Sequence, residues 1–117
     1  MSDIAIYHNP RCSKSRQSLA LLEENGVNPE IILYLDHPPT EAGLSAVLAK
    51  LGVGPRDIIR KGEDAYKEKN LADDSLSDTQ LVAAMVAHPI LIERPIIVRG
   101  DRAVVGRPPE NVLELLD

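Results

Sequence analysis

The sequence is poor in cysteine and in aromatic residues. It contains one cysteine, no tryptophan, no phenylalanine and three tyrosines among 117 residues. One cysteine excludes an internal disulfide bond, and no spacing typical of a zinc site is present. The sequence also lacks a long apolar run and an apolar N-terminal leader. We therefore expect a cytoplasmic protein with an aliphatic core, no bound metal and no membrane association.

Positive charge is also in short supply. Lysine and arginine number 13 against 18 aspartate and glutamate residues, which gives a formal net charge of −5. Proteins that bind nucleic acids need a basic surface to neutralise phosphates, so this balance argues against a nucleic-acid partner. An apolar fraction of 44% is ordinary for a globular protein. The length corresponds to a single domain over residues 1–117.

The N-terminal third of the chain predicts a βαβ unit. Ile4 to Tyr7 is a short apolar run before Asn9-Pro10, which is typical of a buried strand that ends in a turn. Helix formers dominate from Ser13 to Asn25, and Gly26 follows where a helix often ends. Glu30 to Leu35 predicts a second strand. A helix between two strands implies parallel pairing and a right-handed crossover.

Residues 40–88 predict a helical insertion. Thr40 can cap a helix whose apolar residues recur at i, i+3, i+4 and i+7. Ser77 and Gln80 match the capping box of a second helix. The acidic stretch from Glu63 to Asp78 between them predicts solvated loops and turns.

The C-terminal third predicts a hairpin and a closing helix. Ile96 to Val98 and Ala103 to Val105 are short strand-like runs joined by turn residues, and Pro108 to Leu116 favours a helix. The order β-α-β, helical insertion, β-β-α indicates an α/β protein. It predicts a thioredoxin-like fold, a four-stranded mixed sheet with helices on its faces. In such a fold, a reactive thiol would lie in the first turn from strand to helix.

The single cysteine, Cys12, lies in that turn among residues that are or can become cationic, with no acidic residue nearby. These residues are His8, Arg11, Lys14 and Arg16. Cations, the free N–H groups of a first helical turn and the Ser15 hydroxyl would each lower the pKa of the thiol. The sequence therefore predicts a reactive thiolate, against the alternative of a small buried apolar residue. His8 could equally be a hydrogen-bonded structural residue.

The motif runs from Cys12 to Ser15 as C-x-x-S rather than C-x-x-C. Because the chain has no other cysteine, it cannot resolve an oxidised or adducted sulfur by itself. The second thiol must come from another molecule. In a cytoplasm, glutathione or a small dithiol protein would supply it.

Three arginines stand at expected boundaries of helices and strands: Arg60, Arg94 and Arg107. A thiolate that attacks an anion faces repulsion of about 4 kcal/mol per pair of unit charges at about 4 Å and an effective dielectric of about 20. Guanidinium groups offset such repulsion and bind tetrahedral oxyanions through two parallel hydrogen bonds. These arginines are therefore candidates for an oxyanion site, and the alternative for each is an ordinary surface charge.

Five segments of the chain carry a resemblance to a known family. They are I-Y-H-N-P-x-C-x-x-S-R from Ile6 to Arg16, I-I-L-Y-L from Ile31 to Leu35, I-R-K from Ile59 to Lys61, H-P-I-L-I-x-R-P-I from His88 to Ile96, and G-R-P-P-E from Gly106 to Glu110. With these motifs the chain resembles the arsenate reductases that are coupled to glutaredoxin. Within that family it is similar to the shorter arsenate-reductase-like proteins.

The resemblance implies a role for each candidate residue. Cys12 would be the nucleophile on arsenate, and His8 and Ser15 would occupy the positions of the residues that activate the thiol. The implied oxyanion-binding residues are Arg60, Arg94 and Arg107. Pro95 matches the family's cis-proline beside the active site.

The resemblance also implies the partners of the reaction. In such enzymes the thiolate forms a covalent arseno-cysteine, glutathione attacks it, and glutaredoxin completes the reduction to arsenite. Glutathione is then a co-substrate, and no cofactor is bound. We further expect a monomer.

Two alternatives come from other classes of protein. One is a regulatory module like the Spx proteins, which share the fold and bind RNA polymerase, but these typically carry C-x-x-C where this chain has Ser15. The other is a monothiol glutaredoxin-like transferase that acts on glutathionylated proteins. Such a transferase would not need three oxyanion-binding arginines.

Overall fold

A computed structural model describes residues 3–116. The chain forms two compact units, one from residues 3–37 with residues 94–116 and the other from Pro38–Glu93. The second unit includes the segment predicted as a helical insertion, residues 40–88. The assignment of the whole chain to a single domain stays a prediction.

The first unit is built on four strands, β1 to β4. In chain order they are β1 (Ile4–Tyr7), β2 (Glu30–Ile32), β3 (Ile96–Arg99) and β4 (Arg102–Val105). The sheet order is β2-β1-β3-β4, with β2 parallel to β1 and β3 antiparallel to both β1 and β4. The predicted thioredoxin-like mixed sheet is confirmed.

One helix and one 3-10 helix pack with this sheet. Helix α1 spans Ser13–Glu24, and the closing segment Pro109–Leu115 is a 3-10 helix rather than an α-helix. Pro108 precedes this segment and Pro109 is its first residue, a position where proline is common at the start of a helix. The shared core is entirely aliphatic, as expected: Ile4, Ile6, Leu22, Ile97, Val112 and Leu115.

The second strand is shorter than the predicted run. Strand β2 ends at Ile32, and the N–H groups of Asp36 and His37 both donate to the Leu33 carbonyl, at 3.0 and 2.9 Å. The chain therefore turns where the sequence predicted three more strand residues. The Tyr34 side chain is completely buried in this turn.

The second unit contains helices α2 (Glu41–Leu51), α3 (Asp64–Glu68) and α4 (Asp78–Ala87). Short 3-10 helices span Pro55–Asp57 and Pro89–Leu91. Both predicted caps are present, since Thr40 accepts from the Gly43 N–H at 3.0 Å and Ser77 forms a reciprocal capping box with Gln80. Among residues 3–116, no helix combines the length and apolar character that a membrane crossing requires.

The acidic stretch is more ordered than the predicted loops. Helix α3 lies within it, and Leu71 behind that helix is buried. The Arg56 guanidinium donates to the carbonyls of Leu71 and Asp73, at 2.8 and 2.5 Å. The acidic composition of this stretch did not predict these hydrogen bonds from Arg56 to the backbone.

A close approach at Gly106 fixes the end of β4. Its N–H donates to the Pro95 carbonyl at 2.9 Å, and its carbonyl accepts a hydrogen bond from Ser18 of α1 at 3.4 Å. A Cβ at this position would lie 2.7 Å from the Pro95 ring and inside contact distance of the Ser18 hydroxyl. Only glycine lets α1 and the Pro95 loop come this close to β4.

We expect Gly106→Ala to lower the free energy of unfolding by about 1–3 kcal/mol, because the added methyl group overpacks the contact with Ser18 and Pro95. Gly62→Ala is the matched control, since a Cβ there meets nothing within 4 Å. Urea denaturation measures both variants. Equal changes in the two would show that the close approach is not a packing constraint.

Candidate active site

Strand register brings three loops to one end of the sheet. Tyr7, the last residue of β1, pairs with Ile96, the first residue of β3, and Ile96 pairs with Val105, the last residue of β4. The loop after β1, the residues before β3 and the residues after β4 therefore meet at this end. Cys12, Arg94 and Arg107 belong to these three loops in turn.

The loop after β1 is held by Asn9 and Arg16. The Asn9 backbone carbonyl accepts from the Cys12 N–H, and its side-chain Oδ1 accepts from the Arg11 N–H, both at 3.0 Å. Arg16 reaches back from α1 and donates to the Pro10 carbonyl at 2.9 Å. These bonds fix Cys12 as the residue immediately before α1, in the N-cap position.

The His8 ring and the Ser15 hydroxyl hydrogen-bond to each other. His8 Nδ1 lies 2.7 Å from Ser15 Oγ, and the Asn9 N–H donates to the same oxygen at 3.0 Å. Burial, followed by the nearby charge of Arg16, lowers the pKa of His8 below its ordinary value. The lowered pKa favours the neutral imidazole, which is hydrogen-bonded to the Ser15 hydroxyl. A role for His8 in activating the thiol stays a prediction.

Opposing influences act on the pKa of Cys12. The residue keeps 8% of its surface exposed, and burial, the largest single influence, raises the pKa. The Ser15 N–H, the Arg94 side chain and the Lys14 N–H lower it by hydrogen bonding, and the Arg94 charge lowers it further. The net pKa of the thiol is below its ordinary value. The sequence missed that Ser15 acts on sulfur through its backbone N–H, because its hydroxyl bonds to His8 and Asn9.

Two arginines lie beside the sulfur. Arg107 Nη2 donates to Cys12 Sγ at 3.4 Å, and Arg107 Nε donates to the Arg94 backbone carbonyl at 2.8 Å. The Arg94 side chain also lies near enough to the sulfur to lower its pKa. Each arginine precedes a cis peptide bond, to Pro95 and to Pro108 respectively. The thiol is thus covered by cationic groups as well as by packing.

Arg60 belongs to the second unit, where it is ion-paired. Its Nε contacts Glu63 at 3.0 Å, and its Nη1 contacts Glu93 at 2.8 Å. A single bridge between Ile59 and Ile92 aligns the Arg60 and Glu93 backbones. A role for Arg60 in binding an oxyanion stays a prediction.

The arrangement supports nucleophilic attack on a small anion. It supplies a thiol with a lowered pKa at a helix N-terminus, one guanidinium group that donates to its sulfur, from Arg107, and a second that lowers its pKa, from Arg94. Among the residues that the structure describes, no group of three or more histidine, cysteine, aspartate or glutamate side chains could hold a metal ion. The chemistry that these groups offer is that of sulfur and arginine.

Comparison with known proteins places this site in a family. The model of the ArsC family matches residues 7–115. The chain belongs to the ArsC family. An uncharacterised Escherichia coli (strain K12) protein, YfgD, is 55% identical over 114 residues, which cover 97% of this chain and 96% of that protein. An arsenate reductase of Haemophilus influenzae is 47% identical, with 97% and 98% of the two chains covered.

Solved structures agree with the family assignment. The arsenate reductase from Vibrio cholerae superposes with a TM-score of 0.92 at 52% identity, covering 95% of each chain. The family resemblance drawn from the motifs is thereby confirmed. The candidate site of this ArsC family member lies within the residues that the family model matches.

Two residues hold the loop after β1 in ways that the sequence did not predict. Asn9 makes three hydrogen bonds around the loop and is 5% exposed, and Arg16 braces the same loop. The dipeptide Asn9-Pro10 indicated a turn but not the buried amide. Arg16 was predicted to add positive charge near Cys12, but its hydrogen bond to the Pro10 carbonyl was not predicted.

We expect the wild-type protein to lose stability more steeply than His8→Gln as the pH falls below about 6.5. The lowered pKa of His8 means that the unfolded chain takes up a proton at a pH where the folded chain resists it. Its contribution is complete above the unfolded pKa and is lost as the pH falls through the folded pKa. Denaturant unfolding at several pH values measures it, with the exposed His37→Gln as control. Parallel pH curves for wild type and His8→Gln would contradict the assignment.

Proposed function

We propose that this chain reduces arsenate to arsenite, with Cys12 as the nucleophile and with electrons from glutathione and glutaredoxin. The observation that carries the proposal is the contact of Arg107 with the Cys12 sulfur, 3.4 Å from Nη2 to Sγ. A cation at this distance stabilises the thiolate and also lies where the oxygens of a bound oxyanion would be. Membership of the ArsC family, with arsenate reductases among its similar relatives, supports the same reaction.

The first step forms a bond between Cys12 and arsenic. The thiolate attacks As(V), and one arsenate oxygen leaves as water after protonation. Arsenic remains As(V) in this adduct, so no electrons have yet been transferred. His8 and Ser15 hold the loop in the shape that presents the sulfur, through their hydrogen bond of 2.7 Å.

The second and third steps supply two electrons from two outside thiols. The glutathione thiol displaces a second oxygen as water and binds arsenic. A glutaredoxin thiol then attacks the glutathione sulfur, and the electron pair of the broken As–S bond reduces As(V) to As(III). The products are a mixed disulfide between glutaredoxin and glutathione and, after hydrolysis from Cys12, arsenite. This sequence suits a chain with one cysteine.

Arg94 and Arg107 serve the reaction in two successive ways. Before attack they favour the thiolate, and during attack they offset the repulsion between thiolate and oxyanion, about 4 kcal/mol per pair of unit charges at an effective dielectric of about 20. Arg60 is the third proposed oxyanion ligand, and binding substrate would require it to exchange its contacts with Glu63 and Glu93. We place the reaction in the cytoplasm, where glutathione and glutaredoxin keep thiols reduced, and in a monomer.

We expect Arg94→Lys and Arg107→Lys to reduce arsenate turnover by at least about tenfold, because lysine keeps the charge but loses the planar fork. The rate at which a neutral reagent alkylates Cys12 should change much less in these variants, since alkylation needs only the thiolate. The assay is arsenate-dependent oxidation of glutathione with glutaredoxin present.

Arg102→Lys, an exposed arginine of the hairpin, is the matched control, and Cys12→Ser sets the background rate. Equal losses in turnover and in alkylation would contradict an oxyanion-binding role for the two arginines. If the folded and fully reduced wild-type protein shows no arsenate turnover, arsenate is not its substrate.

A further inference from the structure

A cavity of about 340 Å³ lies between the loop after β1, which carries Cys12, and the turn after β2. Its walls include Asn9 and Arg11 from the loop after β1, and Leu33, Leu35 and Asp36 from the turn after β2. Its volume is within the range of small-molecule sites, about 300–1,000 Å³. We call it the β2-side cavity.

Strand pairing places this cavity at the same end of the sheet as the sulfur. Tyr7 pairs with Ile32, and the His8 N–H donates to the Ile32 carbonyl at 2.9 Å, so both chains leave the sheet side by side. Arg11 is adjacent to Cys12 in sequence. A ligand anchored in the cavity therefore lies on the same loop as the reactive sulfur, one residue along the chain from it.

The cavity combines apolar walls with two opposite charges. Leu33 and Leu35 are 37% and 36% exposed, so both present apolar surface to the cavity. Arg11 and Asp36 are both exposed, and within residues 3–116 neither forms an ion pair. A site with one cation and one anion fits a zwitterion better than arsenate, which carries only negative charge.

Hydrogen bonds and a buried tyrosine hold the backbone of the turn that carries Asp36. Two N–H groups, those of Asp36 and His37, converge on the Leu33 carbonyl, and Tyr34 anchors the turn by its complete burial. A carboxylate on a rigid turn binds an ammonium group at a smaller entropic cost than one on a mobile loop.

We propose that the β2-side cavity binds the γ-glutamyl end of glutathione. Asp36 contacts the α-ammonium group, Arg11 contacts the α-carboxylate, and Leu33 and Leu35 pack against the methylene chain. The cysteine of the tripeptide then extends toward Cys12. This inference rests on the proposed function, in which glutathione is the thiol that attacks the arsenic adduct.

The test uses S-methylglutathione, which cannot react with sulfur or arsenic. Its binding is measured by NMR titration of the reduced protein without arsenate, following the amide signals of Leu33, Leu35 and Asp36. We expect saturable shifts at these residues. We expect Asp36→Asn to weaken binding up to about fivefold, as for one exposed ion pair.

The sign of the Asp36 effect separates direct contact from general electrostatics. Glutathione carries a net negative charge at neutral pH, so removing a negative charge from the protein without a direct contact would tighten binding. An analogue that lacks the α-ammonium group should bind Asp36→Asn at least as well as wild type. Asp101→Asn, at the tip of the β3-β4 hairpin, is the matched control for charge and should leave binding unchanged.

Three results would overturn the inference: no shifts at the cavity residues, unchanged or tighter binding in Asp36→Asn, or shifts there with glutaredoxin alone. The binding assay contains no arsenate, so it is independent of turnover. Binding as described in a protein without arsenate turnover would support the cavity assignment and remove only the proposed substrate. Turnover without binding at the cavity would overturn only the cavity assignment.

Discussion

The ionisation of one sulfur governs the rest of the candidate site. Burial of Cys12 opposes the thiolate, and the structure answers this with two kinds of donor: backbone N–H groups of the first turn of α1 and the guanidinium groups of Arg94 and Arg107. Burial is the largest single influence on the pKa of the thiol, and the donors together outweigh it. The site therefore depends on having a helix N-terminus and two arginines meet at one atom.

The sheet is what makes this meeting possible. Strands β1, β3 and β4 are short. Their register places the last residues of β1 and β4 and the first residue of β3 at the same end of the sheet. Gly106 then brings β4 close to Pro95 and to α1, so the arginine after it reaches the sulfur. The close packing at Gly106 therefore also determines where the Arg107 charge lies relative to Cys12.

Much of this could be predicted because the signals were local. The caps at Thr40 and Ser77, the hairpin between β3 and β4, and the cationic surroundings of Cys12 each depend on neighbours in sequence. The buried face of α1 could not be predicted, since Ser15 and Ser18 occupy it together with Leu22. Their hydroxyls are satisfied by His8, Asn9 and Gly106, partners that only the fold supplies.

The remaining differences have the same origin. Strand β2 ends before the aliphatic run that predicted it, because the last residues of the run form a turn that contains the buried Tyr34. The sequence left open whether His8 is cationic or structural, and burial and the charge of Arg16 lower its pKa. Arg60 has two carboxylate partners, one of them 33 residues away, and no sequence pattern indicated that pairing.

Ultraviolet absorbance of the Cys12 thiolate as a function of pH tests the central claim most directly. The chain has no other thiol, and the same titration of Cys12→Ser gives the background from the three tyrosines. The account predicts a midpoint below about 8.5, the value of an ordinary cysteine, and a higher midpoint in both Arg94→Gln and Arg107→Gln. A wild-type midpoint at or above that value, or one that neither substitution moves, would contradict it.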